Sequence, residues 1–276
     1  MTPPATQAPI IGAAVNVPDL PALLPWLREA DRDLELQDFC WPGPLPSGWR
    51  DRAAEARRLL DGWQGRLGIH GPFYGFTLAT VDPDIREIVR RRLDERLEVC
   101  AALGADLMVV HSPVTAWDHR NRHNWPGAGS HLIEAVEASL RPALRRAEDM
   151  GVTLALENIE DVDPLDRLRI VEALASPALR LSVDVGHASC AHGATGGPPP
   201  DYYVAAAGEM LAHVHLQDAD GHADRHWPPG DGLAPWTAIF AALAQLAARP
   251  RLLLELRDPA EVPRGAAWLA ARGLAR

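Results

Sequence analysis

Short apolar runs rich in β-branched residues recur along the chain, and polar stretches with helical spacing separate them. The runs lie at 10–17, 34–39, 67–70, 106–111, 153–159, 179–185, 213–217 and 252–256. Most are continuous rather than alternating, the pattern of parallel strands covered on both faces. Between them, Asp82-Pro83-Asp84 puts a capping side chain and a first-turn proline ahead of Ile85, Ile88, Val89, Leu93, Leu97 and Cys100. That spacing of three and four predicts an amphipathic helix that stops at Gly104. Further helices are expected at 21–30, 51–60, 130–151, 164–175, 201–211, 235–248 and 260–271. Eight strands alternating with eight helices predict an α/β protein, a single (β/α)8 barrel spanning 1–276, with 1–9 as a flexible tail. An open doubly wound sheet is the alternative. It commonly carries a glycine-rich turn after its first strand, and Gly12 alone does not supply one.

In a parallel barrel every strand opens its C-terminal end onto the same face, so the side chains at those ends matter most. His70 ends the third run and His111 the fourth. Glu157 closes the fifth, Asp184 and His187 the sixth, and His215 the seventh. Asp224 and His226 follow in the next loop, and Glu255 closes the eighth. Four carboxylates gathered without cations would repel one another and lose hydration. A divalent metal removes that cost, and imidazole with carboxylate suits Zn, Mn, Fe or Co. A single histidine at a strand end reads more simply as a hydrogen-bonded core residue. Recurrence at successive strand ends is what points to a metal site. His213 competes with His215; His215 is preferred because it lies nearer the mouth. His119, His123, His131, His192 and His222 read as surface or loop residues.

Stretches rich in proline and glycine at 41–49, 192–200 and 226–235 read as loops on the same face. Phe73, Trp41, Trp117 and Trp125 fall in such connections, where they are expected either to stack on a substrate or to pack the loops. Arg257, two residues beyond Glu255, is placed to stabilise developing negative charge; a salt bridge below the site is the competing reading.

Composition narrows the chemistry. All 27 cationic side chains among Lys and Arg are Arg. The absence of lysine excludes Schiff-base catalysis and a lysine-bearing phosphate loop. A formal charge of −10 makes DNA an unfavourable partner. Three scattered cysteines and no apolar run long enough to cross a bilayer suggest a reduced, cytoplasmic protein without a membrane span. The N-terminus does not read as a signal peptide. Oligomeric state is not legible, so an oligomer stays open.

At these residues the chain resembles the xylose isomerase-like TIM-barrel superfamily, from about 10 to 257. Glu157, Asp184, His215 and Glu255 match the one-metal pattern of its isomerases and epimerases. That resemblance implies metal-binding and proton-moving roles for Glu157 and Glu255. His70, His111, Asp184-Val-Gly-His187 and Asp224-Arg-His226 also match the pattern of endonuclease IV-type AP endonucleases, which implies up to three metal ions per chain. The loop His226-Trp-Pro-Pro-Gly looks more like that of the sugar-isomerase relatives. The expected activity is a metal-dependent isomerase or epimerase acting on a sugar, keto sugar or polyol. In it Glu157 and Glu255 exchange protons, and His187 holds metal or a substrate hydroxyl. The alternatives are a multinuclear zinc phosphoesterase and a non-catalytic metal-binding barrel.

Overall fold

The computed structural model describes residues 8–276. Eight parallel strands close into a barrel in sequence order: β1 (Gly12–Val15), β2 (Leu34–Leu36), β3 (Leu67–His70), β4 (Leu107–His111), β5 (Thr153–Glu157), β6 (Leu179–Asp184), β7 (Leu211–Leu216) and β8 (Arg251–Glu255). The ring shuts where Ala14 of β1 pairs with Glu255 of β8. Around it run α1 (Leu20–Arg28), α2 (Trp49–Leu59), α3 (Pro83–Leu103), α4 (Ala116–Asn121), α5 (Ala128–Met150), α6 (Leu165–Leu174), α7 (Val185–Cys190), α8 (Pro200–Ala207), α9 (Trp236–Ala244) and α10 (Val262–Ala270). No helix among the described residues is long and apolar enough to cross a membrane. Of the expected tail at 1–9, residues 1–7 lie outside the described residues. Pro9 accepts a backbone hydrogen bond from Arg276 at 2.9 Å, and Ala8 accepts one from its side chain at 3.0 Å.

All eight expected strands form. β7 starts earlier than the apolar run suggests, because Leu211 pairs with Leu181 before an irregularity places His213 beside Ser182. The helix expected at 201–211 accordingly ends at Ala207. The predicted cap of α3 is in place: the Asp82 side chain accepts from the amides of Asp84 at 2.8 Å and Ile85 at 3.2 Å. Two short helices were not expected. α4 rests on a capping box between Thr115 and Asp118. α7 exists because the Asp184 carboxylate accepts from the His187 amide at 2.6 Å, so Asp-Val-Gly-His is itself a helix cap.

The apolar core fills the shell between strands and helices, with Leu34, Leu36, Ile69, Leu154, Leu156, Leu181, Val183, Val214 and Leu254 buried in it. Residues of the opposite parity point into the barrel and carry the polar groups. Arginines of the outer helices brace the strands and loops. Arg167 of α6 bonds the carbonyls of Leu156 (2.8 Å) and Ser182 and pairs with Asp161 at 3.2 Å, tying β5 to β6 just below their ends. Arg96 of α3 donates to the carbonyls of Phe39, Trp41 and Gly43 at 3.0, 2.9 and 3.1 Å, which sets the loop after β2.

Candidate metal centre

Strand register brings the strand-end residues level. His111 pairs with Glu157 across β4 and β5, and Asp184 pairs with His215 across β6 and β7. Around the Nδ1 atom of His215 stand Glu157 at 2.5 Å, Glu255 at 3.4 Å and Asp184 at 3.9 Å, from three different strands. His111 Nε2 lies 3.3 Å from the other oxygen of Glu157, and His70 Nε2 lies 3.9 Å from it. On the far side, Asp224 Oδ2 sits 3.0 Å from His226 Nε2 and 3.5 Å from His187 Nε2. All nine residues singled out in the sequence therefore gather in one cup at the strand C-termini, and Glu157, Asp184, His215 and His70 are almost wholly buried.

The hydrogen bonds behind the cup aim its imidazoles. His70, His187 and His226 each place Nδ1 against a backbone carbonyl: Gly71 at 2.9 Å, Asn158 at 2.9 Å and Glu255 at 3.1 Å. A carbonyl only accepts, so each Nδ1 carries a proton and each Nε2 is turned inward, the arrangement that prepares a histidine to bind metal. The Nε2 atoms of His70 and His111 face each other at 3.3 Å. Tetrahedral zinc with bonds of about 2.1 Å holds neighbouring ligand atoms roughly 3.4 Å apart. The donor set therefore fits divalent cations in its chemistry and its spacing. Several groups of three donors lie within 4.8 Å of one another, among them His70, His111 and Glu157; Glu157, Asp184 and His187; and His187, Asp224 and His226.

The electrostatics make the same demand. Burial works to raise the pKa of Glu157, yet His215, His111 and His187 hold it well below the usual carboxylate range. Asp184 is pushed up to about 6 by burial, with His187 opposing and Glu157, Glu255 and Asp224 adding to the rise. Burial disfavours charge on His215, but Glu255, Glu35 and Glu157 keep it well above its ordinary value. His226 rises to about 9 against burial, through Asp224 and Glu255. His111 falls to about 3, chiefly by burial, which leaves its imidazole neutral. Without a cation the cup draws positive charge from its own histidines, a demand that a divalent ion also satisfies.

Trp117 and Trp125 lie away from the cup, and the Arg257 side chain makes no contact with it. Trp117 and Trp125 border a separate cavity of about 300 Å³ among α4, α5 and α6, with Leu132, Ile133 and Ile170. The connection after β4 forms α4 and carries both indoles outward. The Arg257 side chain is exposed and joins no hydrogen bond or ion pair among the described residues; only its amide is engaged, by the His226 carbonyl at 3.0 Å. Phe73 and Trp41 do face this end of the barrel. Phe73 stacks on His111 with ring centres 3.9 Å apart, and Tyr74 lies 4.0 Å from Phe73. Trp41 stacks on Tyr74 at 5.9 Å. These rings form an aromatic wall beside the cup, with Trp41 and Tyr74 exposed. Of the other histidines, His119 borders the separate cavity and His123, His131, His192 and His222 are exposed.

Sequence reasoning missed the residues that hold the candidate ligands. Glu35 of β2 is fully buried and lies 3.1 Å from His215 and 3.2 Å from His213. Gln37 donates to Glu255. Gln217 donates to Asp184 at 3.2 Å and to Asp224 at 2.7 Å, and accepts from the His226 amide at 2.9 Å. Asn158 bonds both backbone groups of Asp184. A signal for Glu35 existed: both neighbours in Leu34-Glu35-Leu36 must face the helices, which leaves the carboxylate inside the barrel needing a partner.

Residues 36–272 match the family described as xylose isomerase-like TIM barrel. An uncharacterized protein of Methanocaldococcus jannaschii is 24% identical over 196 residues, 68% of this chain and 63% of that protein. Fructoselysine 3-epimerase of Escherichia coli O157:H7 is 32% identical over 95 residues, 32% of this chain and 33% of the epimerase. The matched stretches thus span less than two thirds of either relative. A solved D-tagatose 3-epimerase-like protein superposes with a TM-score of 0.76 at 20% identity, covering 95% of this chain and 96% of that one. A Thermus thermophilus protein, from a crystal soaked with zinc chloride, gives a TM-score of 0.72 at 28% identity, with 96% and 99% covered. With the match running from the second strand to beyond the last helix, and a closed eight-stranded barrel to carry it, the chain belongs to the xylose isomerase-like TIM-barrel family.

Proposed function

We propose that the protein is a metal-dependent epimerase or isomerase of a sugar, keto sugar or polyol. The observation that carries this reading is the convergence of Glu157, Asp184 and Glu255 on the single nitrogen Nδ1 of His215. Glu157, Asp184, His215 and Glu255 would hold one divalent ion; His70, His111, His187, Asp224 and His226 offer donors for others. A bound ion supplies Lewis acidity to a substrate carbonyl or hydroxyl. Glu157 and Glu255 enter the cup from β5 and β8. One carboxylate removes the proton from the carbon beside the carbonyl, and the other returns one to that carbon or its neighbour. The amide of Gln37 orients Glu255 for this task. His187, its Nδ1 fixed by the Asn158 carbonyl, presents Nε2 to metal or to a substrate hydroxyl. Phe73, Tyr74 and Trp41 supply faces on which the apolar side of a sugar ring can rest. The epimerases among its relatives favour a carbohydrate substrate.

The test is solvent exchange. In D2O with Mn2+, Co2+ or Zn2+, a panel of ketohexoses and keto-glycosides should show deuterium entering next to the carbonyl by NMR. Glu157→Gln and Glu255→Gln should each lower that exchange at least 10³-fold at unchanged circular dichroism, since each removes an essential proton carrier. Exchange at the wild-type rate in either variant would remove that residue from the mechanism.

One observation favours a second reading, a zinc phosphoesterase: the donors extend past a single ion position, to the facing His70 and His111 and to the His187, Asp224 and His226 group. Three tightly held zinc ions and cleavage of a phosphodiester, with no carbon-bound exchange, would establish it instead. The charge of −10 argues against DNA as that substrate.

A further inference from the structure

Glu35 lies at the centre of β2, below the cup, and is fully buried. Its sheet neighbours are Ala14 on β1 and Gly68 on β3. These small residues leave the barrel interior open for two rings from the opposite wall. His215 reaches across so that Nε2 is 3.1 Å from one oxygen of Glu35, and His213 so that Nε2 is 3.2 Å from the other. Behind His213, the Ser182 hydroxyl lies 2.8 Å from Nδ1.

The proton positions follow from what each group can do. A carboxylate only accepts, so His215 Nε2, hydrogen-bonded to Glu35, carries a proton, and the 3.2 Å approach of His213 Nε2 to the other oxygen calls for one there as well. The Ser182 hydroxyl then donates to His213 Nδ1. Nδ1 of His215 is the atom ringed by Glu157, Asp184 and Glu255, and without a cation it too carries a proton, donated to Glu157 at 2.5 Å; with Nε2 held by Glu35, Nδ1 is the nitrogen that can give up its proton and offer a lone pair to a cation. Once that proton leaves, a lone pair among three carboxylates is unfavourable unless a cation sits between them. The opposite tautomer would aim Nε2 at Glu35, lone pair against lone pair.

We propose that Glu35, braced by His213 and Ser182, is a positioning residue that fixes the ring of His215 with Nδ1 offered to a cation in the cup. This rests on reading the cup as a cation site and adds the device that presets it. Fully buried beneath His215, Glu35 acts through that ring and touches no substrate.

Two measurements test it. In zinc-loaded protein labelled with 15N-histidine, long-range proton–nitrogen spectra should place the His215 proton on Nε2; a proton on Nδ1 overturns the proposal. In cobalt titrations, Glu35→Leu, which fills the space without an acceptor, should bind Co2+ at least tenfold more weakly and shift its visible bands. Glu35→Gln keeps a carbonyl for the Nε2 proton and should restore most of both. Wild-type affinity and bands in Glu35→Leu would mean that Glu35 serves stability alone. If Glu35→Leu does not fold, the wild-type proton position decides. A wild-type protein that binds neither ion defeats the cation reading along with this one. Equal binding by wild type and Glu35→Leu defeats this one alone.

Discussion

An added Cβ at Gly186 would stand 2.2 Å from the carboxamide of Gln217, which is fully buried and engaged with Asp184, Asp224 and the His226 amide. The glycine in Asp184-Val-Gly-His187 is therefore required by packing against a residue that steadies three expected ligands. Gly186→Ala should cost about 1–3 kcal/mol of stability through overpacking and weaken zinc binding as Gln217 is displaced. Urea denaturation and a competitive zinc titration would show both, and an unchanged zinc affinity would mean that Gln217 does not support the ligands. His226 makes a related point through its backbone. Its φ of 51° lies in the left-handed region, which a non-glycine side chain adopts at a cost. Gln217, the Arg257 amide and the Glu255 carbonyl together hold it there. This positioning layer was hardly legible in the sequence. Acids and histidines at strand ends announce chemistry by type, whereas Gln37, Gln217 and Asn158 are amides whose meaning depends on what they face.

The connection from β7 to α9 is the element most dependent on one side chain. The Asp218 carboxylate accepts from the amides of Ala219, Gly230 and Ala234 at 3.0, 2.8 and 2.9 Å and from the Trp236 indole at 2.9 Å. Asp218→Ala would strand two buried donors, the Ala219 amide and the Trp236 indole, at about 1–3 kcal/mol for each left unsatisfied. The expected result is faster proteolysis within 219–235 and weaker metal retention at Asp224 and His226. The loop after β5 depends similarly on Asp161, which accepts from the Ser112 hydroxyl at 2.9 Å and the Ile159 amide at 3.0 Å. Burial pushes its carboxyl up to about 6, with Arg167 opposing. A folded-state value above the ordinary 3.8 means the native chain holds this proton more tightly than the unfolded one. Its contribution is complete below about pH 3.8 and is lost as pH climbs through about 6. Between pH 5 and 7.5 wild type should lose roughly 1 kcal/mol relative to Asp161→Asn, read from urea midpoints. Parallel pH profiles would show that Asp161 does not titrate in this range. The strands themselves were readable, because burial on both faces leaves continuous apolar runs. α4 and α7 were not, because single capping side chains create them within stretches too short for periodicity.

At the scale of the whole barrel, one topological fact turns scattered residues into a site: eight parallel strands deliver their last side chains to a common rim. That convergence was legible because alternating strands and helices fix the topology before any side chain is placed. The depth of the polar interior was not, since Glu35 and His213 acquire their roles only when opposite walls face each other. The rim also concentrates like charge, with Glu157, Asp184, Asp224 and Glu255 all within 3.9 Å of His215, His187 or His226. Folding without a cation must hold these carboxylates together using imidazolium charge alone, while a cation bound only by the native rim adds its binding free energy to folding. With free metal a thousandfold above its dissociation constant, that gain is about 4 kcal/mol. For a domain of this size, each kcal/mol moves the melting temperature by roughly 2–4 °C. Exhaustive chelation should therefore lower the melting temperature by about 10 °C, and returning Zn2+, Mn2+ or Co2+ should restore it. Glu35→Leu should show a smaller metal-dependent shift than wild type at the same ion concentration. A melting temperature indifferent to chelation would show that the native rim holds no cation tightly, and the proton-transfer chemistry proposed for Glu157 and Glu255 would lose its electrophile.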